Sequence, residues 1–281
     1  TMKKCARTYS NQLNLMEQYD EYKFVQSSAL HSAFILENYP ELFKRIQKAV
    51  AEGRYEPNGG VWVEGDCIGI SNKTDAGHEF AKFTLVSGEG TSEGEFESAD
   101  EVGKDSVYYA VYPYSSTSTI TVAPQAPASI SVQYPSRLTF DEDFIVAEGP
   151  NFMVARSKDK EKFYFRNICS YIQMTVTGPD DIYIQSLILR SADGSAINGN
   201  ASITFNGDSP VVEFDGSGTD VNFISCGEDG FPFADEPFSI AVPPTLENGF
   251  SITIVATDGQ EMTVSSSNPV GRNTIMKMPT I

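Results

Sequence analysis

Beyond residue 66 the sequence is built from one kind of phrase, a short run of Val, Ile, Thr, Ser, Tyr and Phe closed by a Gly, Asp, Asn or Pro turn word. Runs of this kind fall at 80–86, 107–112, 119–122, 129–132, 152–155, 162–166, 172–177, 182–189, 201–205, 211–214, 221–224, 238–242, 251–256, 261–264 and 274–278. Tyr183-Ile-Gln-Ser-Leu-Ile-Leu and Ser251-Ile-Thr-Ile-Val alternate polar and apolar positions, which places every second side chain on one face of a strand. Between the runs stand Asp193-Gly194, Asn206-Gly207, Asp215-Gly216, Asp229-Gly230 and Asp258-Gly259, pairs suited to tight turns. Strands this short and this regularly punctuated bury themselves by pairing antiparallel and stacking sheet on sheet. The expectation is a β-sandwich architecture.

The first 66 residues read differently. Pro40 can open a helix without needing its N–H, and Leu42, Phe43, Ile46 and Val50 then recur three and four apart before Gly53. Leu13, Leu15, Met16 and later Ala29, Leu30, Ala33, Phe34, Leu36 suggest two more helices around the strand-like Tyr22–Val25. A last strand, Val61-Trp62-Val63, follows Gly59-Gly60. Charge changes at the same place: residues 1–66 carry a balance of −1, and the remainder holds −17 of the total −18. The expected organisation is thus a short α/β segment over 1–66 and two β-sandwich domains, 67–157 and 158–281, divided at the charged run Arg156–Lys162.

A field of −18 repels nucleic-acid phosphates and anionic headgroups, so no nucleic-acid partner is expected. No apolar run reaches the ~18 residues of a membrane span, and no signal segment is read at Thr1. Cys5, Cys67, Cys169 and Cys226 form no C-x-x-C pair. They read as separate thiols, with a Cys169–Cys226 bridge left open.

Candidate chemistry is sparse. Glu64 and Asp66, two apart, would share one face of a strand and could stand as a carboxylate pair, whereas the plainer reading is a solvated strand end. His31 and His78 are the two histidines, too few for a zinc site with three protein ligands. Asp141-Glu142-Asp143 and Glu228-Asp229-Gly230 are acidic loops without the spacing that wraps calcium. Tyr108, Tyr112 and Tyr114 fall on one face of a strand and Tyr109 on the other, a pattern that serves core packing before it serves a glycan platform. The sequons Asn72-Lys-Thr74 and Asn200-Ala-Ser202 carry no assignment. No catalytic, cofactor or metal residue is assigned, and the chain reads as a non-enzyme.

Two resemblances accompany these readings. The words Tyr22-Lys-Phe-Val-Gln-Ser-Ser, Tyr39-Pro-Glu-Leu-Phe-Lys-Arg-Ile, Val50-Ala-Glu-Gly-Arg-Tyr-Glu-Pro and Gly59-Gly-Val-Trp-Val-Glu64 resemble the N-terminal domain of class II α-mannosidases. That family implies a zinc ion, a His-x-Asp pair among its ligands and an aspartate nucleophile, and none of those motifs occurs in this sequence. The text also departs from the family after Glu64, continuing Gly65-Asp-Cys-Ile-Gly.

The words Gly65-Asp-Cys-Ile-Gly-Ile-Ser71, Tyr108-Tyr-Ala-Val-Tyr-Pro113, Asn151-Phe-Met-Val-Ala-Arg156, Ile184-Gln-Ser-Leu-Ile-Leu, Phe238-Ser-Ile-Ala-Val-Pro-Pro, Phe250-Ser-Ile-Thr-Ile and Arg272-Asn-Thr-Ile-Met-Lys-Met are similar, in that order, to the fimbrillin-like surface proteins of Bacteroidales. This resemblance implies two transthyretin-like antiparallel β-sandwich domains displayed at the cell surface, outer-membrane associated or fimbrial. It implies partners that are other fimbrial subunits, joined by strand addition, or a host protein or glycan. The family's lipoprotein signal and first strand are replaced here by mannosidase-like text. The expected function is a fimbrial subunit or adhesin-type structural protein. The alternatives are a zinc-dependent α-mannosidase fragment and a surface lipoprotein that binds carbohydrate or protein without polymerising.

Overall fold

The computed structural model describes residues 62–72, 78–121, 128–140, 146–147, 151–207, 209–233 and 237–281. The helical expectations for 1–61 lie outside these residues. All regular structure among them is β, which bears out a mainly β fold. The chain divides into two compact units that interleave in sequence: Thr1–Lys73 with Phe80–Ser115 and Val154–Arg166, and Thr74–Glu79 with Ser116–Met153 and Asn167–Ile281.

The first unit is organised around β1 (Cys67–Ser71), paired antiparallel on one side with β3 (Ala81–Ser87) and on the other with β5 (Tyr108–Tyr112). Its sheet continues through β4 (Glu95–Glu97) beyond β3 and through β10 (Met153–Ser157) and β11 (Arg166–Asn167) beyond β5. Ile68, Ile70, Tyr108, Tyr109, Ala110 and Val111 are all buried, so both faces of the central strands are covered. Gly69 is required by close approach: a Cβ there would stand 2.7 Å from Phe80 Cβ.

Trp62, within the mannosidase-like text, belongs to this unit. Its N–H donates to Thr91 O at 2.9 Å, its carbonyl accepts Gly90 N–H at 2.8 Å, and its ring meets Phe96, Tyr112 and Phe165 edge-on at 4.9, 5.2 and 5.7 Å. Phe165 explains a correction. The strand expected over 162–166 does not form, and only Arg166–Asn167 pairs as β11. Lys160 to Lys162 are solvent-facing charges, and Phe165 is committed to the tryptophan rather than to a ladder. The preceding run Arg156–Lys162 finishes β10 and turns on side-chain caps, with Asp159 N–H donating to Ser157 Oγ at 3.0 Å and Glu161 N–H to Asp159 Oδ1 at 2.9 Å.

The second unit holds three sheets. One orders β21 (Ile275–Lys277), β12 (Ser170–Met174), β18 (Phe238–Val242) and β9 (Val146–Ala147). Another orders β20 (Glu261–Ser266), β19 (Phe250–Ala256), β13 (Tyr183–Ser191), β16 (Val221–Ser225) and β8 (Arg137–Thr139), with β17 (Phe231–Pro232) also on β13. One continuous core draws on both: Ile172, Met174, Phe238, Ile240 and Val242 from the first, Ile184, Leu187, Leu189, Ile224, Phe250, Ile252 and Ile254 from the second. This is sheet-on-sheet burial by the inward halves of alternating strands. Most ladders are antiparallel, but three rim pairs, β12 with β21, β16 with β8 and β18 with β9, run parallel. Parallel partners need long crossovers, and each of these pairs joins strands far apart in sequence.

The third sheet orders β15 (Ser209–Phe214), β14 (Gly199–Asn206), β7 (Ser129–Tyr134), β6 (Thr119–Thr121) and β2 (His78–Glu79). The β14–β15 hairpin leaves between β13 and β16 to pair with β7, Gly199 opposite Tyr134, so strands from both sides of residue 158 share one ladder.

Candidate interaction edges

Among the described residues, none of the titratable groups singled out in the sequence forms a convergent site. Glu64 and Asp66 do not share a strand face. Val63 to Asp66 is a turn closed by Asp66 N–H to Val63 O at 3.0 Å, with Gly65 at φ 89°, a conformation open to glycine. Asp66 is occupied structurally, Oδ2 accepting Val63 N–H at 2.8 Å and Oδ1 accepting the Tyr112 hydroxyl at 2.8 Å. Burial and this carboxylate raise the Tyr112 phenol well above its ordinary value.

Tyr108 and Tyr109 are buried on opposite faces of β5, and the Lys82 ammonium lies 5.8 Å from the Tyr114 ring centre. The tyrosines are packing, not a platform. Glu228-Asp229-Gly230 is a bend whose glycine sits at φ 78°. Among the described residues no group of three or more His, Cys, Asp or Glu is placed to hold a metal ion. Cys5, His31 and Asp141-Glu142-Asp143 lie outside the described residues, as does the side chain of His78.

Cys67, Cys169 and Cys226 are free thiols, so the bridge left open between the last two is not formed. Burial raises both Cys169 and Cys226 to about 12. Cys169 Sγ accepts Phe152 N–H at 3.2 Å. The adjacent Tyr134 phenol is likewise pushed up by burial.

Two polar clusters escaped the sequence reading because their members are distant in the chain. Asn198 Nδ2 reaches Thr219 Oγ1, Val221 O and Asn222 Oδ1 at 2.9, 2.8 and 2.8 Å, and its Oδ1 accepts Thr219 N–H at 2.9 Å. Both asparagines are buried, and the amide is fully used as a latch between loop and strand. Asp193 gathers Ser191 Oγ, Ser195 N–H and Asn248 Nδ2 at 2.7, 2.9 and 2.6 Å, bonds that hold its carboxyl well below the usual range. Each cluster satisfies its own polar groups, and neither offers a donor set to a ligand.

Sheet edges remain as the chemically available features, and they differ. Unpaired N–H and C=O groups along an edge invite another strand unless the edge is short, charged or interrupted by proline. β4 is three residues with two glutamates, and β15 carries Pro210 and Glu213. β8 has three residues headed by an arginine. β20 has six residues, Glu-Met-Thr-Val-Ser-Ser, without proline and with one charge at its start.

The β19–β20 hairpin is closed by Thr257-Asp258-Gly259, with Gly259 N–H on Ala256 O and Ala256 N–H on Gln260 O, both 2.9 Å, and Gly259 at φ 84°. Hydrogen-bonded pairs alternate from that closing pair, so Met262, Val264 and Ser266 spend their backbone groups on β19. The N–H and C=O of Glu261, Thr263 and Ser265 point outward. Thr253 and Thr263 form a non-hydrogen-bonded pair whose hydroxyls meet at 2.9 Å, as this alternation requires. Among the described residues no strand pairs with the outer side of β20. Val264 packs against the core while Met262, on the same face, is 40% exposed.

Residues 1–76 match the glycosyl hydrolases family 38 N-terminal domain. The chain is 47% identical over 66 residues to α-mannosidase G of Dictyostelium discoideum and 41% identical over 66 residues to α-mannosidase 2C1 of Homo sapiens. Each match covers 24% of this chain and 6% of the mannosidase, so the chain spans a small fraction of those enzymes. Among solved structures, a Bacteroides uniformis protein provisionally assigned to cell adhesion aligns at TM-score 0.49 and 17% identity, over 79% of this chain and 89% of its own. One from Bacteroides ovatus with the same assignment aligns at TM-score 0.47 and 14% identity, covering 79% and 84%. A fimbrial protein from Bacteroides ovatus aligns at 0.31 and 11%, covering 79% and 44%.

Proposed function

We propose that the chain is a non-enzymatic surface protein of the adhesin or fimbrial-subunit class, which engages its partners by adding an extended segment to a sheet edge. The observation that carries this reading is β20, a six-residue edge with neither proline nor interior charge, fixed to a sheet that lines the hydrophobic core of the second unit. Strand addition draws affinity from backbone bonds and specificity from alternate side chains, and it needs a rigid edge more than a pocket. The ordered fimbrillin-like words across 67–281 support the same class and a position at the cell surface. No helix among the described residues is long and apolar enough to cross a membrane.

A second reading rests on the match of residues 1–76 to the α-mannosidase domain. One experiment addresses both. Beads coated with the full chain are tested for retention on protein-coated and glycan-coated surfaces, and the same preparation is assayed with an aryl α-mannoside and zinc. Retention that falls when the β20 edge is blocked by Thr263→Pro is expected, with no release of aryl alcohol. Zinc-dependent hydrolysis would move the chain to the second reading.

A further inference from the structure

We infer that the partner strand that fits the β20 edge best is β20 of a second copy, paired antiparallel about a two-fold axis at Thr263. This deepens the edge reading above and rests on it. An antiparallel two-fold centres either on a residue with outward backbone groups, Glu261, Thr263 or Ser265, or on Met262 or Val264 between them. Centring on Glu261 sets two carboxylates directly opposite each other. Centring on Ser265 runs Thr263 against Ser267, past the end of the strand. Centring on Met262 or Val264 leaves four backbone bonds within the strand, whereas Thr263 gives six with the acids apart.

In that register Thr263 exchanges two backbone bonds with its own copy, and Glu261 and Ser265 exchange two more at each end, six in all by the alternation already described. Glu261 faces Ser265, and the two Glu261 carboxylates stand about 14 Å apart along the strands, beyond the Debye length of about 10 Å at 0.1 M salt. On the core-side face Met262 lies against Val264 of the other copy, which covers the side chain left 40% exposed at this edge. On the opposite face threonine meets threonine. The same short segment is therefore its own complement in hydrogen bonding, in apolar contact and in charge.

The pairing joins two five-stranded ladders, β20-β19-β13-β16-β8, into one sheet. One strand edge buries less than the ~1,000 Å² of a stable interface, so the dimer is weak and concentration-dependent. Each chain carries −18, so association strengthens as salt screens the repulsion between chains.

The test is sedimentation equilibrium of the full chain across concentration at low and at about 0.15 M ionic strength. A monomer–dimer equilibrium that shifts toward dimer with salt is expected. Thr263→Pro removes only an outward N–H and weakens the dimer by about tenfold or more, as the loss of two hydrogen bonds requires. Met262→Lys, at an exposed position, does the same and serves if the proline variant does not fold. Register is read by oxidation: Thr263→Cys gives a disulfide-linked dimer above the parent background, and Ser265→Cys, whose copies are far apart, does not. A chain that is monomeric at every concentration overturns the inference, as does equal cross-linking of the two cysteine variants. In either case, loss of bead retention by Thr263→Pro would still leave the edge reading standing, so the two failures are distinguishable.

Discussion

The Tyr112 hydroxyl donates to Asp66 Oδ1 at 2.8 Å across 46 residues of sequence, while the other oxygen of the same carboxylate holds Val63 N–H at 2.8 Å. One aspartate thus ties the turn after Trp62 to the end of β5. Asp66→Ala removes both acceptors and leaves a largely buried phenol without one, an expected cost of about 1–3 kcal/mol. Glu64→Ala, two residues away and exposed, should stay within about 0.5 kcal/mol. Urea unfolding of both variants checks this, and a double-mutant cycle with Tyr112→Phe should show strong non-additivity.

That aspartate also shows how far the sequence could be read. Period-two alternation located β13 and β19 within a residue or two, and the run 238–242 is β18 as expected, because each buries one face or both in a local, repetitive way. Asp258-Gly259 marked its hairpin because turn chemistry is local. Asp66 could not be read this way, since its role depends on a phenol on another strand. β1 is not legible as a strand, because its short Cys-Ile-Gly-Ile-Ser run includes a glycine, which local propensity disfavours and which packing against Phe80 requires. The departure of β14–β15 to pair with β7, the Asn198 latch and the open side of β20 are likewise products of long-range pairing. The β20 edge was present in the text as a strand, but whether an edge is free is a property of the sheet.

Alkaline pH should destabilise the chain earlier than surface groups alone would. Tyr112, Tyr134, Cys169 and Cys226 are all raised by burial, so each favours the folded state fully below its unfolded value and loses that contribution as pH rises toward its folded one. The thiols start from 9.0 and the phenols from 10.0, so the melting temperature should begin to fall near pH 9 and continue downward past pH 10. Cys169→Ala and Cys226→Ala should each flatten that slope.

The same burial predicts thiol reactivity. At neutral pH an alkylating reagent should leave Cys169 and Cys226 unmodified in the folded chain while labelling the half-buried Cys67, whose Sγ donates to Gly65 O at 3.3 Å. Peptide mapping before and after denaturant distinguishes them. Labelling of Cys226 in the native chain would mean that the core around Phe231 and Phe238 opens readily.

On the acid side Asp193 sets the expectation. Its carboxyl is held below 3.8 chiefly by Asn248, then by Ser191 and Ser195, so its contribution is present above that value and is lost as pH falls below it. Asn248→Ala should move the Asp193 titration upward toward 3.8 in a carboxyl-detected NMR series, with neighbouring acids unmoved. The group is fully exposed, so the readout is the titration itself.

The loop opposite Asn198 yields the sharpest contrast between two glycines two residues apart. Gly216 sits at φ 83° with nothing within 4 Å of a new Cβ, so Gly216→Ala meets only the left-handed backbone penalty, about 1–2 kcal/mol. A Cβ on Gly218 would stand 1.6 Å from the Asn198 carbonyl oxygen, which is backbone and cannot swing aside. Gly218→Ala must therefore push the loop off the strand and break Thr219 N–H to Asn198 Oδ1 and Ile197 N–H to Thr219 O, both 2.9 Å. The cost should reach about 3 kcal/mol or more, at the upper end of overpacking, because buried Asn198 and Asn222 lose partners at the same time. Denaturant midpoints decide it. Equal costs for the two variants would mean that the loop yields without disturbing the amide latch.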